Sequence, residues 1–147
     1  MDHMEFKHID AAEARAKAEA ILRSLPGLSV ATNGDNGYPD LRALAIGHVD
    51  DVQTIWFSTS SCSKKLKELA ADPRATLYGF DMQSMGEFRL FGSFEVRTDA
   101  ESSKKVWKDE YKAYWPDGID SPNMTVLKFT TKSGIYASFG ETGTFEF

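Results

Sequence analysis

Apolar positions recur along the chain with two rhythms, one matching a helix and the other a strand. Residues 10–25 follow the helical rhythm. Asp10 can cap the helix start, and Glu13 stands at the capping-box spacing from it. Strong helix formers follow until Leu25-Pro26-Gly27 stops the run. Residues 28–32 then read as a short apolar strand, and Asn33-Gly34-Asp35-Asn36-Gly37 supplies the residues a hairpin turn needs. Residues 38–48 alternate. Leu41, Ala43, Ala45 and Gly47 take one face, and Arg42, Leu44, Ile46 and His48 take the other. After a turn at Asp50-Asp51, residues 54–59 form a further strand containing Ile55, Trp56 and Phe57.

Residues 64–71 predict a short helix ended by Asp72-Pro73, because a residue before proline is pushed out of helical geometry. Two strands follow at 74–81 and 86–97. Thr98 and Glu101 repeat the capping-box spacing and open a helix reaching about residue 114, which Trp115-Pro116-Asp117-Gly118 breaks. Two last strands fit at 124–130 and 134–139. Strands joined by tight turns imply an antiparallel sheet, and six or seven of them suggest a closed barrel plugged by helices. The fold class expected is therefore mainly β (α+β). No Rossmann-type alternation or Gly-x-Gly-x-x-Gly run occurs.

Composition narrows the function classes. The 147 residues, 41% hydrophobic and 27% charged, suit one globular domain with a real core, residues 1–9 being expected as a flexible terminus. Seventeen basic against 22 acidic residues leave a net charge of −5, which argues against a duplex nucleic-acid partner. No apolar run suits a membrane helix and no secretory leader is legible, so a cytoplasmic protein is expected. The single cysteine, Cys62, excludes a disulfide within the chain. His3, His8 and His48 lack metal-ligand spacing, so no metal site is expected.

The most informative stretch is Ser58-Thr59-Ser60-Ser61-Cys62-Ser63-Lys64-Lys65. A strand ends, hydroxyl residues crowd the connection, and a helix opens with Ser63 at the cap position and two lysines in its first turn. Cations there oppose the helix dipole, at a cost of about 0.3–1 kcal/mol each. A bound phosphate would reverse that sign; a solvated loop that merely caps the helix accounts for the same residues. Arg42 is the second candidate, since a guanidinium on the face of Leu44 and Ile46 needs an anionic partner. A surface salt bridge would also satisfy it. Glu87 and Arg89 can pair across strands or bond a ligand. Trp107 and Tyr111 have the spacing of one helix face packed on the barrel.

Together these pieces resemble the FMN-binding split-barrel family that includes pyridoxamine 5′-phosphate oxidase, and within it the general stress protein 26 branch. Arg42-Ala43-Leu44-Ala45-Ile46, then Ile55-Trp56-Phe57-Ser58-Thr59, then Ser63-Lys64-Lys65 through Asp72-Pro73, lie in the family's order. Arg89-Leu90-Phe91-Gly92 and the loop Tyr114-Trp115-Pro116-Asp117-Gly118 add to the likeness, which spans residues 10–137. The resemblance implies an antiparallel split β-barrel with flanking helices that binds FMN. It implies phosphate contacts from Arg42, Ser63 and Lys65, with Lys64 standing where the oxidase has arginine, Ser58 and Thr59 along the ribityl and phosphate side, and Ala43, Leu44 and Ala45 along the flavin ring. Glu87 stands near the place of a flavin-contacting glutamine. The family's homodimers hold two interfacial flavin sites, each completed by the partner chain, and Trp115 is the candidate contributor. Gly47 stands where the oxidase carries a lysine, and the oxidase's tryptophan- and arginine-bearing tail is not found. The resemblance thus implies a flavin redox protein acting on a small-molecule substrate or reductant. A non-catalytic flavin-binding stress protein, a true pyridoxamine 5′-phosphate oxidase, and a barrel binding heme or a deazaflavin are the alternatives.

Overall fold

The computed structural model describes residues 5–147. The part of the expected flexible terminus that spans residues 1–4, His3 included, lies outside the described residues. Lys7–His8 form a two-residue strand, β1, parallel to the end of the chain, and Ile9 is buried.

Helix α1 (Ala11–Ser24) starts as its sequence dictates, with the Asp10 carboxylate accepting from the Glu13 amide at 2.8 Å. It lays Ala14, Ala18, Ile21 and Leu22 on the barrel. Strands β2 (Gly27–Asn33), β3 (Pro39–Val49) and β4 (Thr54–Ser60) follow, then helix α2 (Lys64–Ala71) and strands β5 (Arg74–Asp81) and β6 (Gly86–Arg97). Helix α3 (Ala100–Val106) precedes a 3-10 turn at Asp109–Ala113, and β7 (Met124–Ser138) and β8 (Glu141–Glu146) complete the fold.

The sheet order β7-β4-β3-β2-β5-β6 closes through β6 pairing with β7, giving a six-stranded antiparallel barrel to which β8 and β1 are added. Phe57, Phe88, Phe129, Leu77, Leu90 and Leu127 fill it. Phe94 meets Phe57 and Phe129 edge-on, at ring separations of 5.8 and 5.1 Å. Closure depends on Gly92, where a Cβ would stand 2.0 Å from the Thr130 carbonyl oxygen. The β6–β7 register slips beside it, between Phe91 and Gly92.

Three expectations need correction. Residues 124–138 are one strand rather than two, because Lys132 is a single extra residue between the partners of Phe91 and Gly92, a bulge that leaves the pairing of β7 with β6 unbroken. The hairpin to β8 follows at Gly140, whose φ of 80° glycine alone adopts easily. The third helix is capped by Asp99, not Thr98, and ends at Val106. Trp107 and Tyr111 therefore do not share a helix; their rings touch edge-on across the step into the 3-10 turn.

Candidate functional site

The barrel has one weak seam. Strand β3 pairs with β2 from Pro39 to Ala45, but it meets β4 only at Ile46, His48 and Val49, with a bulge between Ile46 and His48. Beyond Phe57, β4 turns its pairing to β7 alone among the described residues. The edge of β3 from Arg42 to Ala45 thus faces a gap, with Ser58 and Thr59 on the opposite side. Alternation then sorts the side chains. Leu44 points into the core, while Ala43 and Ala45 are exposed on the outer face. Thr59 points inward and is buried, whereas Ser58, of opposite parity, is half-buried.

Helix α2 closes the barrel end beside this seam. Ser63 occupies its cap position, but the Ser63 hydroxyl makes no capping bond to the helix amides. It accepts from Lys65 Nζ at 2.6 Å instead, and Thr59 Oγ1 accepts from the same ammonium at 2.7 Å. Burial, and then the positive charge of Arg42, hold Lys65 below its ordinary value, with Glu68 partly opposing them. Arg42, half-buried, donates from Nη1 to Thr32 Oγ1 at 2.7 Å and pairs through Nη2 with Asp40 Oδ2 at 2.9 Å. Nη2 also lies 3.5 Å from Glu68 Oε2.

Arg42, Thr59, Ser63 and Lys65 therefore gather where the β3–β4 seam meets the start of α2. Two cations near enough to repel, hydroxyls at the same spot and a helix start without a side-chain cap form a concentration of donors that suits an anion. Lys64 stands at the rim, exposed, with its ammonium 3.8 Å from Asp40 Oδ2. The neighbouring Glu68 carboxyl, and then the charges of Arg42 and Lys64, hold the Asp40 carboxyl below its ordinary value against partial desolvation.

Other sequence candidates lie elsewhere. Glu87 sits on the outer face of β6 and accepts from the Tyr78 hydroxyl at 2.5 Å, a bond that raises the tyrosine's pKa. The bond crosses from β5 to β6, as the cross-strand reading of this residue expects. Trp115 packs with Trp56, Val106, Met124 and Val126. Its indole N–H donates to the Asn123 carbonyl at 3.1 Å, which also accepts from the Ser61 amide. That places Trp115 on the outer side of the loop leading to Ser63. His48 is bonded to Asp50 at 3.0 Å.

Sequence reasoning missed Thr32, Asp40, Glu68 and Lys108. Glu68, in a helix reading Lys-Lys-Leu-Lys-Glu-Leu, looks like part of a solvated face, yet it is 4% exposed. Lys108 reaches back from beyond α3 to the Ile46 carbonyl at 3.3 Å, beside the seam. A side chain at Gly47 would collide there, since its Cβ would stand 2.9 Å from Val106. An open cleft of about 1070 Å³ runs from Thr32, beside Arg42, along β5, β6 and β7 past Arg74, Phe91, Lys132 and Phe147.

The family model for pyridoxamine 5′-phosphate oxidase matches residues 14–137. The chain belongs to the pyridoxamine 5′-phosphate oxidase family. The match covers every barrel strand and both sides of the seam. A solved structure from Clostridium acetobutylicum, a protein related to general stress protein 26 of B. subtilis, is 30% identical. It superposes with a TM-score of 0.82 over 94% of this chain and 96% of that one. A curated pyridoxine/pyridoxamine 5′-phosphate oxidase from Burkholderia lata is 35% identical over 92 residues, covering 60% of this chain. The chain spans only 42% of that oxidase's length. A heme binding protein from Mycobacterium smegmatis shares the fold, with a TM-score of 0.75 at 19% identity over 90% of this chain and 57% of its own. No helix among the described residues is long and apolar enough to cross a membrane.

Proposed function

We propose that this protein is an FMN-dependent oxidoreductase of the general stress protein 26 branch, working in the cytoplasm as a homodimer. The observation that carries the reading is the convergence of Arg42, Thr59, Ser63 and Lys65 at the seam of a family-typical barrel. A flat ligand without an anionic group would have no use for paired cations there. In this reading the guanidinium of Arg42, the ammonium of Lys65 and the hydroxyl of Ser63 bind the phosphate, and Lys64 adds charge from the rim. Ser58 and Thr59 flank the ribityl chain. The β3 edge from Ala43 to Ala45 lies along the flavin ring, and it presents backbone there because Leu44 is committed to the core.

When bound, FMN supplies hydride and single-electron transfer. The chain's own residues anchor and orient it, and the exposed outer faces of Ala43, Ala45 and Leu41, the last 66% exposed, leave room for a second copy to cover the ring. Trp115 and Glu87, both outside the phosphate cluster, are assigned to the dimer-facing surroundings of the flavin. The substrate is a small molecule or reductant that reaches the ring from the open side.

Titration of the apo-protein with FMN and riboflavin tests the reading. Tight FMN binding with much weaker riboflavin binding supports it. Equal affinities, or a Soret band with heme and no flavin binding, overturn it. Turnover of NAD(P)H with an electron acceptor separates an enzyme from a flavin-binding stress protein. Conversion of pyridoxamine 5′-phosphate would instead assign the oxidase reaction.

A further inference from the structure

We propose that Glu68 is a positioning residue of the anion site, holding Arg42 in place, and that Asp40 is the exchangeable counter-ion that a phosphate replaces on the same guanidinium. The inference rests on the phosphate site described above and concerns the two carboxylates that share its arginine.

The two differ in burial and in how they reach the guanidinium. Glu68 is 4% exposed and is reached by a relay. Arg42 Nη1 donates to Thr32 Oγ1 at 2.7 Å, and the Thr32 hydroxyl donates onward to Glu68 Oε2 at 2.8 Å. The same Oε2 lies 3.5 Å from Arg42 Nη2. Glu68 Oε1 is buried with no hydrogen-bond partner among the described residues. A carboxylate withdrawn from water this fully is costly unless a fixed cation compensates it. Arg42 is that cation, so the pair is locked from the inside. Asp40 takes the outer side of Arg42, at 2.9 Å, with a side chain 37% exposed. Solvent can take over its lone pairs, and phosphate oxygens compete for the same guanidinium donors.

Electrostatics alone gives neither substitution a way to weaken an anion, since neither can add negative charge to the site. Positioning predicts opposite signs. In titrations with FMN and riboflavin at fixed ionic strength, Glu68→Gln should weaken FMN about tenfold, the scale of one lost charge-assisted contact. It should leave riboflavin unchanged. Asp40→Asn should tighten FMN by about threefold, because the competing carboxylate is gone. Thr32→Val, which keeps the β-branched shape and breaks the relay, should follow Glu68→Gln and serves if that variant does not fold.

Glu68→Gln that tightens FMN, leaves it unchanged, or weakens both ligands equally overturns the positioning role. Asp40→Asn that fails to tighten FMN overturns the exchange. If the wild-type protein does not prefer FMN to riboflavin, the phosphate site itself fails. If it does prefer FMN while Glu68→Gln follows Asp40→Asn, the site stands and only the positioning role is lost.

Discussion

Replacing Lys65 with methionine isolates what its ammonium contributes. The variant keeps an unbranched stem of similar length and removes a charge and the donors to Thr59 and Ser63, now at 2.7 and 2.6 Å. A lost charge-assisted hydrogen bond to a ligand costs about 1.5–3 kcal/mol, so FMN affinity should fall about 10- to 150-fold. Riboflavin, without the phosphate, should bind as before. Quenching of flavin fluorescence on titration measures both. A second readout concerns the ligand-free protein. Burial and the charge of Arg42 lower the Lys65 pKa from 10.5. The folded value then lies below the unfolded one, and between the two the unfolded chain holds the extra proton. Stability of the wild type should therefore rise, relative to Lys65→Met, as pH climbs from neutral towards 10.5. Unchanged FMN affinity in the variant, or an equal loss for riboflavin, would refute the assignment of Lys65 to the phosphate.

Three further outcomes follow from the fold and its cap. Phe129→Ala, at a position with no exposure in the barrel centre, should destabilise by about 3–5 kcal/mol in urea unfolding. Gly92→Ala should lower the melting temperature sharply, because the new methyl must displace the Thr130 carbonyl that stands 2.0 Å from it. Asp99, whose pKa is lowered from 3.8 to about 2 by bonds from the Ser102 hydroxyl and amide and then from Arg97, caps α3. Its folded value lies below its unfolded one, so the stabilisation is complete above 3.8 and lost as pH falls towards 2. The melting-temperature gap between wild type and Asp99→Asn should close over that interval.

Most of the barrel was legible because its strands alternate cleanly and its turns carry Gly, Asn and Pro where geometry needs them. The errors have local causes. Thr98 and Asp99 are both good cap residues, and side-chain reach to Ser102 decided between them. The bulge in β7 looks like a strand end in sequence, yet pairing with β6 carries through it. Strand β8 has the pattern Glu-Thr-Gly-Thr-Phe-Glu, whose one large apolar residue gives little periodicity. At the site, the cationic and hydroxyl members were legible from local chemistry, since lysines opposing a helix dipole and an arginine on a core-facing parity stand out. Glu68 and Asp40 were not. Their roles exist only once α2 folds back over β2 and β3, and no local signal separates a buried helix glutamate from a solvated one.

The central claim is that the donors gathered where the β3–β4 seam meets α2 bind the phosphate of FMN. A crystal structure of the protein with FMN tests it most directly. Phosphate oxygens are expected within hydrogen-bonding reach of Arg42, Ser63 and Lys65, with the flavin ring along Ala43–Ala45. Phosphate held by Arg74 and Lys132 at the far end of the open cleft, with Arg42 still closed on Asp40, would contradict it.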